Sequence, residues 1–230
     1  MKFGVTNLFE CSYLPEQQER LMVFVGYQDK DLKQHYEAML ANGFRRSGEQ
    51  IYRPHCPTCS ACQSLRVPVD RFRPSKSQRR IIKRNSHLKS QLNREHKPEY
   101  YALYEKYINQ RHTEGSMFPA SVEQYEGFLF CHWLAPLFIE IYDQNKLIAV
   151  AVTDELESCW SALYTFYDPD YEKFSLGSFA ILEQIRLSRQ HKKLFLYLGY
   201  QIDNCAKMNY KQNFQPNERF LRDGWQLFLK

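Results

Sequence analysis

Three short runs in the second half of the chain carry residue types able to do chemistry: Tyr164-Thr-Phe-Tyr-Asp-Pro-Asp170, Ser175-Leu-Gly-Ser178, and Tyr197-Leu-Gly-Tyr-Gln-Ile-Asp-Asn-Cys-Ala-Lys-Met-Asn-Tyr-Lys211. They read as strand, turn, helix start, strand and polar segment, junctions that leave backbone groups free for a ligand. Tyr164, Tyr167 and Asp168 could take or relay a proton. A helix start at Ser175, Gly177 and Ser178 offers free N–H groups, and the glycine lets a ligand approach the backbone. Those groups suit a developing oxyanion or a terminal phosphate. Lys207, Lys211 and Arg66 are candidates to pair with a substrate carboxylate, arginine as a bidentate fork and lysine as a point charge. No Ser-His-Asp or Cys-His arrangement is assignable. An aromatic core with polar turns would look the same at this level, so other segments must decide.

Charge is distributed unevenly. The formal net charge is only +5, yet nine Lys and Arg lie between Arg71 and Arg94 with no Asp or Glu among them. Such a stretch repels itself in the free protein, and a polyanion relieves that repulsion while releasing its own counterions. Arg79, Arg80, Lys83 and Arg84 are therefore candidate contacts to nucleic acid, most simply RNA. No fingerprint of the RRM or KH type accompanies them.

His55-Cys56-Pro-Thr-Cys59-Ser-Ala-Cys62 spaces three thiols closely enough to converge on one metal, with Cys11 as a distant fourth. The second Cys-x-x-Cys pair of a zinc ribbon is lacking, a reduced cysteine loop competes, and no metal ligand is assigned. The segment from Met1 to Ser12 has no apolar run of signal-peptide length. No stretch reaches the roughly 18 apolar residues of a membrane span. A cytoplasmic protein with reduced thiols and no membrane partner is expected.

The elements that must position these residues follow from hydrophobic periodicity. A helix over Asp29–Asn42 places Leu32, Tyr36, Met39 and Leu40 on one face and ends at Asn42-Gly43. Strands are predicted at Leu21–Val25, Phe44–Arg46 and Ser64–Val69, and one cationic helix over 77–94. Helices at Glu99–Gln110 and Ser121–Phe130 precede an antiparallel meander of Leu137–Tyr142, Lys146–Asp154 and Cys159–Tyr167. A buried-face helix at Ser178–His191 and a strand at Leu194–Tyr200 follow. The plan is α+β, a mostly antiparallel sheet with flanking helices, divided into a cysteine-containing region 1–70 and a domain 71–230.

Several motifs in order resemble the arginyl-tRNA-protein transferase family, in its bacterial leucine-transferring branch. They are Cys11-Ser-Tyr-Leu-Pro15, Tyr52-Arg-Pro-His-Cys56, Cys62-Gln-Ser-Leu-Arg66, Arg79-Arg80 with Lys83-Arg84-Asn85, and Ala149-Val-Ala-Val-Thr-Asp154, together with the three runs above. The resemblance implies transfer of leucine from leucyl-tRNA to the α-amine of proteins beginning with Asp or Glu, marking them for N-end rule degradation. It also implies a later half similar to the GNAT acyltransferase fold, with aminoacyl-tRNA in place of acetyl-CoA. Eukaryotic relatives carry an early Cys-x-x-Cys linked to an iron–sulfur cluster; the matching Cys11-Ser-Tyr-Leu14 is one thiol short. An aminoacyl ester is already activated, and an α-amine of pKa about 7.7–8.0 is partly neutral at pH 7, so no cofactor is expected and a strong base is optional. Two other readings stay open: an acetyl-CoA-dependent N-acyltransferase, disfavoured by the single glycine at Ser175–Ser178, and a non-catalytic RNA-binding module.

Overall fold

A computed structural model describes residues 2–26, 32–222 and 224–229. The chain opens with β1 (Phe3–Val5), the short pair β2 (Phe9–Glu10) and β3 (Gln18–Glu19), and β4 (Leu21–Phe24). Helix α1 (Leu32–Ala41) precedes β5 (Arg45–Ser47), β6 (Gln50–Pro54) and β7 (Gln63–Pro68). Next come α2 (Lys76–Arg84), β8 (Lys89–Asn93), α3 (Pro98–Arg111) and α4 (Val122–Leu129). The meander is β9 (Leu137–Asp143), β10 (Lys146–Glu155) and β11 (Cys159–Tyr167). A 3₁₀ turn at Pro169–Phe174 leads into α5 (Leu176–Gln190) and β12 (Phe195–Gln201). A second 3₁₀ turn at Asn209–Asn213 and the hairpin β13 (Asn217–Leu221) and β14 (Gly224–Phe228) close the chain.

Helix α1 buries the four residues expected of it and ends at Gly43, whose φ of +82° suits glycine. Residues 29–31 of the expected helix lie outside the described residues. The cationic helix is shorter than predicted. A Ser75/Gln78 capping box starts it, and Asn85 stops it by donating from its side chain to the carbonyls of Ile81 and Phe174. Lys89–Asn93 instead pairs antiparallel with β9, because the free backbone groups along that edge are satisfied by a strand and Leu88 and Leu92 turn toward the core.

The main sheet has eight strands in the order β14-β13-β7-β12-β11-β10-β9-β8, antiparallel except for β11 beside β12. Strand β10 shows how its two faces are covered. Ala149 and Ala151 pack with Phe179, Ala180 and Ile185 of α5, while Val150 and Val152 pack with Tyr100, Tyr104 and Ile108 of α3. Strand β7 lies between β13 and β12, so a boundary at residue 70 falls after a strand of the large sheet. A smaller sheet, β1-β4-β6-β5, holds the N-terminal strands. No described helix is long and apolar enough to cross a membrane.

Two features of the main sheet position the site. First, β11 and β12 pair only from Cys159–Ser161 to Phe195–Tyr197 and then diverge. Register shifts in β10–β11 at Val152/Thr153 and in β12–β7 at Tyr197/Gly199 accompany the divergence. Second, Arg46 of β5 is fully buried against Asp154 of β10, with an Nη2–Oδ1 distance of 2.6 Å and side-chain exposures of 0% for both. Arg46 Nε also donates to Asp154, Nη2 to the Leu129 carbonyl, and Tyr36 Oη donates to Asp154 at 3.0 Å. Asp154→Asn would leave the Arg46 charge buried and unmatched. A destabilisation of about 3–5 kcal/mol in urea unfolding is expected, and a loss below about 1 kcal/mol would show that the pair does not anchor the smaller sheet.

Candidate active site

The divergence of β11 from β12 releases the Ala162 carbonyl, which accepts from Arg45 Nη2 at 2.6 Å. The guanidinium crosses above Gly199, where a Cβ would stand 3.5 Å from Arg45 Cζ; the φ of +86° and the missing side chain make that crossing possible. Arg45 is 6% exposed, and its Nη1 has no partner among the described residues. Lys211, in the second 3₁₀ turn, is also 6% exposed. Among the described residues its Nζ makes two 3.5 Å hydrogen bonds, to the carbonyl oxygen and Sδ of Met208, and lies 4.8 Å from the Tyr210 ring centroid. Burial, and then the charge of Arg45, lower its pKa to about 8.

Phenols line the end of β11. The rings of Tyr107 and Tyr167 are 4.8 Å apart, and Tyr107 also faces Tyr164 and His112. Burial and neighbouring phenols push Tyr107 and Tyr164 well above the ordinary phenol range, so both stay protonated. His112, at the C-cap of α3, is lowered by burial and then by Arg111 and Lys207, which keeps it neutral at pH 7. Its Nε2 is buried without a partner among the described residues. A neutral imidazole with a free nitrogen beside phenols can accept a proton.

Asp168 caps the first 3₁₀ turn through the Asp170 N–H and is clamped by Lys106 at 2.5 Å and Lys146 at 2.7 Å. Ser175 follows in a left-handed conformation, φ 55°, and opens α5 without a side-chain cap. The first intrahelical bond at that end runs from Phe179 N–H to the Ser175 carbonyl, so the N–H groups of Leu176, Gly177 and Ser178 have no intrahelical partner, while that of Ser175 donates to the Glu172 carbonyl. Gly177 sits against Tyr167, and Ser178 is half-buried beside it. The helix start and the phenols therefore meet.

Of the three cations read from sequence, Lys207 is exposed and acts on His112, and Lys211 is buried beside Arg45. Arg66 lies elsewhere. It pairs with Glu218 at 2.7 Å, sits 3.8 Å and 4.0 Å from the ring centroids of Phe195 and Trp225, and lines a separate groove of about 960 Å³ with Glu37, Cys159 and Lys193. Arg79, Arg80, Lys83 and Arg84 are exposed on α2, and Arg84 donates to the Lys173 carbonyl just before the α5 start. Arg45 and His112 were not singled out from sequence. Only Gly199, a glycine inside a strand, hinted at a close approach.

Cys11, Cys56, Cys59 and Cys62 line one cavity of about 520 Å³ with Tyr200. Burial first, and then the other three thiols and Glu19, push Cys62 up to about 12. Among the described residues no three Cys, His, Asp or Glu side chains are arranged to hold a metal ion, and no chemistry is derived through one.

The Asp168 clamp makes a pH prediction. Burial alone would raise its pKa, but hydrogen bonds from Lys106, Lys146 and the Asp170 N–H outweigh burial and hold it below 3.8. Its contribution to stability is complete above about pH 4 and is lost as pH falls through the lowered value. Asp168→Asn is expected to lower the melting temperature at pH 7 and to flatten its acid dependence below about pH 4. An unchanged acid limb would remove Asp168 from that role.

Family models described as "Arginine-tRNA-protein transferase, N terminus" and "Arginine-tRNA-protein transferase, C terminus" match residues 9–80 and 99–221. A protein of Pseudoalteromonas atlantica named "Aspartate/glutamate leucyltransferase" is 53% identical over 230 residues, covering 100% of this chain and 99% of its own. Proteins of the same name from Shewanella oneidensis and Aeromonas hydrophila are 52% and 49% identical, covering 97% and 98% of this chain and 93% and 94% of their own. The structure of L-PGS from Bacillus licheniformis aligns at TM-score 0.49 and 11% identity over 79% of this chain and 53% of that one, too distant to carry an argument. The ordered motifs and the near-complete coverage agree: the chain belongs to the arginine-tRNA-protein transferase family.

Proposed function

We propose that the protein moves leucine from leucyl-tRNA to the α-amine of proteins beginning with Asp or Glu, marking them for N-end rule degradation in the cytoplasm. The observation that carries this reading is the 53% identity to an aspartate/glutamate leucyltransferase over 100% of the chain. In this reading the large sheet is a GNAT-like acyltransferase core, and the gap between β11 and β12 takes an aminoacyl ester where an acetyl-CoA enzyme takes its thioester.

The tRNA backbone follows Arg79, Arg80, Lys83 and Arg84, and the tie from Arg84 to Lys173 directs its terminus to the start of α5. There the N–H groups of Gly177 and Ser178, with the Ser175 hydroxyl, bind the terminus or the developing oxyanion. The acceptor amine attacks the ester carbonyl carbon, and the C–O bond to the terminal ribose breaks as the amide forms. The amine's proton passes to His112 Nε2 or through Tyr164 and Tyr167, and the ribose oxygen leaves with a proton. Asp168 acts by position, holding Lys106 and Lys146 at the strand end. Lys207 and Lys211 stand on the acceptor side of the gap, whereas Arg66 supports a different groove.

The decisive experiment incubates the protein with labelled leucyl-tRNA or arginyl-tRNA and peptides beginning Asp, Glu, Ala or Lys. Label is expected only from leucyl-tRNA and only on the Asp and Glu peptides. Acetyl transfer from tightly bound coenzyme A, or tRNA binding without any transfer, would overturn the proposal. For the donor path, changing Arg79, Arg80, Lys83 and Arg84 together to Glu should weaken tRNA binding and reduce its log–log salt slope by about 3. An unchanged slope would take α2 out of that path.

A further inference from the structure

Arg45 and Arg46 are adjacent on β5 and have opposite surroundings. Arg46 is matched by Asp154 and capped by carbonyls. Arg45 is also buried, at 6% exposure, and has no carboxylate partner among the described residues. Lys211 is a second buried cation, and the charges that act on it are Arg45 and Cys205, with no carboxylate. A buried charge without an opposite charge is costly, and two that repel one another are more so, unless a ligand brings the anion. We infer that Arg45 and Lys211 form the pocket for the side-chain carboxylate of the acceptor's first residue. The inference rests on the leucyl-transfer reading and names the specificity determinant of that same site.

The geometry fits such an anion. Arg45 is fixed through Nη2 on the Ala162 carbonyl, just past the last paired residues of β11 and β12, and the neighbouring Nη1 is buried without a partner among the described residues. A carboxylate there accepts from a held guanidinium edge. Among the described residues Lys211 Nζ is held by two 3.5 Å hydrogen bonds to Met208 and the face of the Tyr210 ring at 4.8 Å, none of them a carboxylate, so its stem can follow the one methylene that separates Glu from Asp. An Asn or Gln side chain fills the same space but leaves both charges uncompensated, so the amides are rejected. Two cations against one carboxylate also leave a net positive field at the acceptor terminus, which favours the neutral amine that attacks.

The test compares binding of fluorescent peptides beginning Asp or Asn, in the absence of tRNA, to the wild-type protein and to Lys211→Met and Arg45→Lys. Wild-type protein is expected to prefer the Asp peptide. Lys211→Met should lose about 30-fold or more in affinity for the Asp peptide, with the Asn peptide little changed. Its melting temperature should rise by a few degrees, because an unmatched buried charge is removed. A purely structural lysine would instead lower the melting temperature and leave the Asp-to-Asn ratio intact. No preference in the wild type, or a preference surviving in both folded variants, overturns the inference. Selective Asp binding without leucyl transfer would overturn the donor reading while supporting this pocket.

Discussion

The buried Arg46–Asp154 pair is the constraint on which the site depends. Apolar residues would hold β5 against β10 about as strongly, so the pair matters less for net stability than for register. A bidentate guanidinium locks onto one carboxylate in one orientation, and Tyr36 closes the other side. Because successive residues on a strand point to opposite faces, fixing Arg46 against Asp154 aims Arg45 at the opposite side, into the gap between β11 and β12. One interaction thereby aligns the N-terminal sheet with the candidate site.

The site itself is drawn from four separated places: β5, the end of α3, the junction of β11 with α5, and the turn after β12. What these segments supply is aromatic surface and positive charge. Asp168 is buried against Lys106 and Lys146, and Lys106 also meets Asp170, so these charges cancel and the positive field comes from the buried Arg45 and Lys211. An aminoacyl ester on a polyanion and an acidic acceptor are both suited to that field. Tyr107 and Tyr164 remain protonated and His112 stays neutral, the nearby charges of Arg111 and Lys207 helping to keep the imidazole unprotonated.

Much of the architecture was legible from periodicity. The alternation in Lys146–Glu155, with alanines toward α5 and valines toward α3, is local, and so is the apolar face of α5. The basic segment misled because a run of cations looks the same on helix and strand. Only Asn85 and the open edge of β9 decide where it changes. Strand β13 opens with Asn217, Glu218 and Arg219, and its pairing with β7 on one side and β14 on the other is a tertiary choice. The tyrosines and the α5 start could be proposed because they are close in sequence. Arg45 could not, because nothing local separates an arginine paired to a carboxylate from one left without it.

The position of β7 has a consequence for how the chain is made. It is synthesised early, yet both of its neighbours, β12 and β13, belong to the last part of the chain. Until they emerge, Leu65 and Val67 have no sheet to enter and their strand presents two unpaired edges. The large sheet therefore grows from its β8 edge, and β7 enters it only through the long-range pairings with β12 and β13. A nascent or truncated chain exposes a sticky central strand to chaperones and proteases. By that route, an enzyme proposed to mark proteins for degradation is itself exposed to quality control during synthesis.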